Sequence, residues 1–269
     1  MSSNQSQLQR VRHDIKIRRL RVEKIEDLSA SLKRFTFSGD DLDSFASASF
    51  DDHLKAFFPN AAGELHLPQV GEKGVVFPEG VAKPAVREYT PTGIDLAGKR
   101  LALEFAIHDA GPATSWAQTA QVGDEIGIAG PRGSIVLPMD LQHYILIGDE
   151  TALPAIRRRL GELPASANVH VIAEVNGAAD ETALPSAANV SATWVHRAGK
   201  AAASEAFMLP VLADLQLPQA DVQVWIACER EQARQIREWF LEQGWDKHAV
   251  RYASYWNKGT AAYHEPHED

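Results

Sequence analysis

The chain has 269 residues, 45% of them hydrophobic and 23% charged, with a net charge of -9. That length exceeds one comfortable core and implies two domains of roughly 100 to 150 residues each. The acidic balance excludes a general nucleic-acid binder, and the single Cys228 excludes an internal disulfide framework, a cysteine-ligated metal site and an iron–sulfur cluster.

Residues 1–20 are polar and then rich in Arg and Lys, with no apolar run for a signal peptide or membrane span. They read as a ragged leader to a first strand, and with the lone cysteine they point to a reduced, cytoplasmic setting. From about Asp14 to Pro138 the pattern is strands and turns. Residues 20–25, 32–37, 100–107 and 123–130 alternate apolar and polar between Gly and Pro, which predicts a small antiparallel barrel.

Within that half, residues 84–91 read Pro-Ala-Val-Arg-Glu-Tyr-Thr-Pro. On a strand Arg87 and Tyr89 share a face, and Thr90 sits at the strand end before Pro91. A guanidinium, a phenol ring and a hydroxyl at that spacing can neutralise a diphosphate, cover an isoalloxazine and bond a ring nitrogen, so this stretch can grip a flavin. Further on, His108 precedes a Gly111-Pro112 turn into a helix expected over 114–121, with a hydroxyl residue as its N-cap. The amides of Ala113, Thr114 and Ser115 at such a helix start suit a phosphate.

The second half changes rhythm. Candidate strands at 144–147, 169–175, 192–195, 222–227 and 250–253 alternate with helical runs at 153–163, 202–215 and 231–243. Strand and helix in alternation predict a doubly wound parallel sheet that binds a nucleotide at the carboxyl ends of its strands. The turn at 147–156 passes from a strand through Gly148, Asp149, Glu150 and Thr151 into a helix, where Asp149 or Thr151 can cap and Pro154 fits the first turn. It lacks a Gly-x-Gly-x-x-Gly fingerprint, so the usual dinucleotide cradle is not supported and the paired acids need another explanation.

The chain resembles the siderophore-interacting protein family of ferric-siderophore reductases, cytoplasmic relatives of the ferredoxin reductases. The likeness runs from about Ile15 to Gly259. It is carried by Asp51, Asp52, His53, Lys55 and Pro59; by Arg87, Tyr89 and Thr90; by His108 with residues 111–117; by residues 130–134; by residues 148–151; and by Tyr255 and Trp256. It implies a two-domain β plus α/β fold: a six-stranded antiparallel FAD-binding barrel over 14–138 and a doubly wound NAD(P)H-binding domain over 139–259. Residues 1–13 and 260–269 would be flexible termini.

By the same resemblance, Arg87, Tyr89 and Thr90 would hold FAD, with His108, Ala113, Thr114, Ser115 and Trp116 around its diphosphate. Asp149 and Thr151 would lie on the nicotinamide side, and Cys228 with Glu229 where related reductases approach that ring. Lys55 and Arg132 match basic positions that hold anionic ferric siderophores. After Tyr255 and Trp256, where the family commonly has a basic residue, this chain has Asn257 and then Lys258. Either Lys258 or Arg251 would then supply the third cation, or the site would prefer a less anionic ligand.

A nicotinamide gives up two electrons together, a ferric ion takes one, and a flavin mediates both. The implied activity is reduction of ferric siderophores with NADH or NADPH through FAD. It needs no protein acid or base, no resident metal, no nucleic acid and no membrane insertion, and suits a monomer. Two alternatives stay open: a flavin reductase feeding a redox protein, and a redox-inactive siderophore-binding module whose acidic tail, with His264 and His267, binds metal. The choice of NADH or NADPH is not legible, because Arg157 to Arg159, Arg230, Arg234 and Arg237 can equally be solvated helix faces.

Overall fold

The computed structural model describes residues 8–71, 74–77, 79–108 and 111–260. The His-containing tail therefore lies outside the described residues. The chain forms two compact units that divide after Pro138, with Ser29–Ser31 grouped with the second.

The first unit runs β1 (Gln9–Arg12), β2 (Ile17–Asp27), β3 (Leu32–Ser38), β4 (Leu54–Phe58), β5 (Gln69–Gly71), β6 (Gly74–Val76), β7 (Ala85–Tyr89), β8 (Pro91–Asp95), β9 (Arg100–Ala106), helix α1 (Pro112–Thr119), β10 (Glu125–Ala129) and β11 (Gly133–Val136). Seven strands form one antiparallel sheet in the order β7-β4-β10-β2-β3-β9-β8. Its two end strands are consecutive in the chain, separated by Thr90 alone. Tyr89 pairs with Leu54 on β4, while Pro91 pairs with Leu103 on β9. The sheet thus curls until one bent strand serves both of its ends, which makes a six-stranded barrel with its seam at Thr90–Pro91. Proline suits the first position of β8 because it has no N–H to give to a ladder.

Alternation decides which side chains fill the barrel. On β3 and β9, Phe35, Phe37, Leu101, Leu103 and Phe105 are all buried to within 1%. On β2, Leu20 and Val22 point inward, while Arg19 and Arg21 point out and both pair with Glu125 at 2.8 Å. The ragged-leader reading fails for its last part. Residues 9–12 form β1, paired antiparallel with β11, and the His13 N–H extends the ladder to the Arg132 carbonyl. Gly133 admits this strand, because a Cβ there would stand 2.6 Å from the Val11 carbonyl oxygen.

The second unit holds β12 (His143–Asp149), β13 (Asn168–Val175), β14 (Asn189–His196), β15 (Val222–Glu229) and β16 (Val250–Trp256), with helices α2 (Leu153–Glu162), α3 (Met208–Asp214) and α4 (Arg230–Glu242). All five strands are parallel in the order β14-β13-β12-β15-β16, the doubly wound arrangement expected from the alternation. The order reverses between β12 and β15, which places the switch point at their carboxyl ends. Gly148 lets the chain turn there: a Cβ would meet that of Ala152 at 2.4 Å and the Ala227 carbonyl oxygen at 2.6 Å.

The helix expected over 202–215 is shorter than the sequence pattern suggests. Ala203 takes φ +53°, Ser204 closes a turn on Ala201, and α3 begins only at Met208. Pro210 explains the late start: it fits the first turn of α3 but would break a helix begun at 202.

Candidate functional site

In the barrel unit the candidate residues gather at the seam. Arg87 stands opposite Ala56 and Tyr89 opposite Leu54, so the two do share a face, the one that looks toward the core. Tyr89 is half-buried, its ring 4.3 Å from that of Phe105 and 6.2 Å from that of Phe58. Burial pushes its phenol well above the usual range, against the opposing charge of Arg87, so the hydroxyl stays protonated and can only share its proton. Arg87 spends one donor on the Val86 carbonyl at 2.7 Å. The rest of its fork has no acceptor among the described residues. Thr90 is buried at the seam.

Helix α1 enters the same unit through Gly111, whose φ of +134° and ψ of 150° are open to glycine alone. Two expectations are corrected here. The helix starts at Pro112 rather than Thr114, and Thr114 is no cap: its hydroxyl meets the His108 imidazole Nε2 at 3.2 Å. Ser115 is exposed and its N–H is committed to the Gly111 carbonyl, which leaves the amides of Ala113 and Thr114 as those available to a phosphate. Trp116 belongs to the core, with its ring 5.2 to 6.4 Å from those of Phe35, Phe37, Phe58 and Phe105.

This donor set fits a diphosphate-bearing flavin: a guanidinium with open donors, an imidazole bonded to a hydroxyl, and a helix start without a side-chain cap. Gly111→Ala gives a direct check. Forcing an L-residue into that conformation is expected to displace the start of α1 and weaken FAD binding severalfold, seen as a higher dissociation constant by flavin fluorescence with unchanged circular dichroism. An unchanged constant would remove α1 from the cofactor site.

Lys55 and Arg132 lie elsewhere. Lys55 is exposed on the other face of β4, across from Glu88 on β7 and Ala129 on β10. Arg132, also exposed, follows Ala129 by the Gly130–Pro131 turn, so the register brings the two cations to one edge of the barrel.

In the second unit, four strand ends carry an acid or its partner. Asp149 ends β12, Glu174 lies opposite it on β13, and Glu229 ends β15 opposite Trp256 on β16. Asp149 is 2% exposed; its Oδ1 accepts from the Thr151 amide and hydroxyl, and its Oδ2 accepts from the Trp256 indole at 2.7 Å. Neither Asp149 nor Thr151 caps α2, since both are spent on this turn and the helix opens at Ala152 with no side-chain cap. The adjacent Glu150 reaches Arg197 through contacts of 2.6 and 2.7 Å, and Arg197 also touches Glu174 at 3.3 Å. That arrangement answers why two acids sit in succession at the turn.

Glu229 and Lys258 have structural uses. The Glu229 carboxylate caps α4 through the amides of Glu231 and Gln232 and takes the Lys258 amide at 3.2 Å. The Lys258 ammonium donates to the Ala203 carbonyl at 3.1 Å, so the expected third substrate cation is turned into the second unit's own backbone. Burial, reinforced by the surrounding acids, keeps the Cys228 thiol protonated. Arg157 donates to Thr182 and Ala183, Arg158 pairs with Glu162, and Arg159 lies 5.1 Å over the Tyr144 ring, so this run is structural.

Sequence reasoning missed Glu174, Arg197 and Trp256 as members of this cluster. The available signal was Glu174 itself, an acid inside the apolar run 171–175, which requires a buried partner. Among the described residues no cluster of three or more His, Cys, Asp or Glu is arranged to hold a metal.

Burial, then the Glu150 charge, raises the Asp149 pKa to about 6; burial, then the Asp149 charge, raises that of Glu174 to about 7. Both acids bind a proton more tightly folded than unfolded. Their contribution is therefore full below about pH 4 and is lost as pH rises through 6 and 7. Glu174→Gln keeps the oxygen that meets Arg197 and removes the titration. It is expected to recover on the order of 2 kcal/mol at pH 8 and little at pH 5, measured by urea midpoints. A shift of the same size at both pH values would refute the assignment.

Comparison with known proteins follows the same two units. Residues 21–135 match the family described as siderophore-interacting FAD-binding domain, and residues 141–259 the one described as siderophore-interacting protein. The NADPH-dependent ferric-chelate reductase of Escherichia coli K12 is 36% identical over 252 residues, 93% of this chain and 96% of that protein. The ferric vibriobactin reductase of Vibrio cholerae O395 is 31% identical over 88% of this chain and 89% of its own. The crystal structure of a siderophore utilization protein from T. fusca superposes with a TM-score of 0.89 at 33% identity, covering 96% of this chain and 99% of that one.

Proposed function

The chain belongs to the siderophore-interacting protein family, and from that membership we propose that it is a flavoprotein oxidoreductase that reduces ferric siderophores with electrons from NAD(P)H. The observation that carries this reading is that both family matches fall on one chain, one within each unit. Bound FAD would supply the exchange between a two-electron nicotinamide donor and a one-electron ferric acceptor. The protein's own part is to bind, orient and exclude water.

Arg87, with the amides of Ala113 and Thr114, would neutralise the diphosphate, and His108 would add a donor held in place by the Thr114 hydroxyl. Thr90 would offer its hydroxyl to the flavin ring. Tyr89, braced by Phe105, would give the ring an aromatic surface that resists rotation. In the second unit the Thr151 hydroxyl gives its proton to Asp149, so its oxygen can only accept, which suits a nicotinamide carboxamide N–H. Phosphates would find no cradle at that acidic turn, which argues for the ring end of the dinucleotide there.

Lys55 and Arg132 are proposed to hold the anionic chelate. Replacing both by Ala is expected to raise the KM for anionic ferric chelates about tenfold or more while FAD stays bound. Unchanged kinetics across several chelates would remove them from the substrate site. NADPH is the proposed donor, following the E. coli relative, and the enzyme is proposed to act as a cytoplasmic monomer without nucleic acid. No helix among the described residues is long and apolar enough to cross a membrane.

Anaerobic mixing of the FAD-loaded protein with NADPH, and separately with NADH, tests the reading. The flavin's visible absorbance should bleach and then return when a ferric siderophore is added, with ferrous ion captured by a colour-forming chelator. A flavin that neither nucleotide bleaches would overturn the proposal.

A further inference from the structure

A cavity of about 340 Å³ opens in the barrel unit between residues 12–18 and the Gly130–Pro131 turn. Its chemistry stands against the chain's overall charge of -9, because Arg12, Lys16, Arg18 and His13 line it with Asp14 as the one acid. Several exposed cations elsewhere on this unit are matched by carboxylates, as Arg21 is by Glu125, Lys24 by Glu26 and Arg100 by Glu23. Arg12 and Lys16 have no such partner among the described residues. Among those residues Lys16 reaches the Ser44 hydroxyl, at 3.0 Å.

The other two basic side chains are fixed in place. Arg18 is 3% exposed and spends its donors on the Asp41 and Ser44 carbonyls at 3.0 Å, so it supplies charge rather than a free hydrogen bond. His13 Nε2 lies 2.7 Å from the Ser134 hydroxyl, which donates its single proton to the buried Asp52 at 2.6 Å. The imidazole must therefore donate at Nε2, which anchors it to a buried carboxylate through one hydroxyl.

We infer that this cavity is a subsite for a pendant carboxylate arm of the iron chelate, with Arg12 and Lys16 as its anion contacts. The inference rests on the chelate-reduction reading above and extends it to a substrate class: citrate-type chelates with carboxylates that the iron leaves uncoordinated. Register ties the cavity to the proposed chelate site, since Arg12 pairs with Gly133, next to Arg132. Arg12 offers a planar fork that meets a carboxylate at two points, and Lys16 adds a point charge. Asp14 can accept an amide or hydroxyl of the same arm, and it repels a dianion more than a monoanion. The site therefore favours a carboxylate over a phosphate.

Calorimetry on the FAD-loaded protein tests this with gallium(III), which is not reduced as iron is. The probes are gallium(III) citrate, which bears free carboxylates, and neutral gallium(III) tris(acetohydroxamate). An Arg12→Ala, Lys16→Ala double variant is expected to bind the citrate complex at least tenfold more weakly and the hydroxamate within twofold. Both residues are exposed, and retained flavin absorbance reports an intact fold. Equal loss for both probes, or no loss for either, would overturn the subsite while leaving the reductase reading standing. Inorganic phosphate binding the wild type more tightly than gallium(III) citrate would also overturn it. A wild type that binds neither complex would remove the chelate reading and the subsite together.

Discussion

Arg197→Ala is expected to lower the unfolding free energy by about 3 to 5 kcal/mol, the cost of leaving buried acids without their cation. Arg197 is 6% exposed and pairs with both Glu150 and Glu174, the latter fully buried. Nothing in an alanine replaces that charge, so the acids must either protonate or draw in water. The loss should therefore depend on pH: smaller near pH 5, where Glu174 and Asp149 hold protons, and larger at pH 8, where they do not. Arg197→Lys keeps the charge but loses the two-point contact with Glu150 and should fall between wild type and alanine. Urea midpoints followed by circular dichroism at the two pH values decide the matter. A loss below 1 kcal/mol, or one indifferent to pH, would show that the acids are neutralised by something else. Adding Glu174→Gln to the alanine variant should restore part of the stability, since one of the stranded acids is then gone.

Arg87→Ala is expected to weaken FAD binding by about ten- to a hundredfold, the range for losing hydrogen bonds between a guanidinium and an anion. Among the described residues one of its donors is used, on the neighbouring Val86 carbonyl, so removal costs the barrel little. Circular dichroism and thermal midpoint of the FAD-free protein should stay close to wild type while flavin fluorescence shows the loss of affinity. Arg87→Lys should recover part of it, because a point charge attracts a diphosphate without matching it at two oxygens. Affinity within twofold of wild type would place the diphosphate elsewhere.

The parts of this molecule that could be read from its sequence are those set by local pattern. Alternating residues on β2 and β3 and the nearly continuous apolar run of β15 gave the two sheet types, because side-chain period reports burial directly. The seam at Thr90 could not be read, since it depends on which strands pair at long range, although Pro91 marked a strand start. Caps were misjudged at both helices of interest. Thr114 and Asp149 have side chains able to cap, but each found a stronger partner, in His108 and in Trp256, distant or across a turn. Lys258 stands in the sequence as a candidate substrate cation, because sequence gives no warning that a nearby carbonyl will take its ammonium. Arg197 went unnoticed for the complementary reason: its meaning comes from Glu174 and Glu150, 23 and 47 residues away.

Joining both ends of the barrel sheet through one residue has a further result for how the protein behaves in a crowded solution. A strand with unsatisfied backbone groups along its side is a template on which a second chain can add. In the barrel's main sheet the two terminal strands, β7 and β8, are 5 residues each and meet in a bend at Thr90, so neither offers a long straight template. The parallel sheet does end in two open strands, β14 and β16. Along β14, Asn189, Ser191 and Ala192 are exposed, a small and polar margin that gives an incoming strand little to bury. Self-association by strand addition, if forced by heat or partial unfolding, should therefore begin on the nucleotide-binding half.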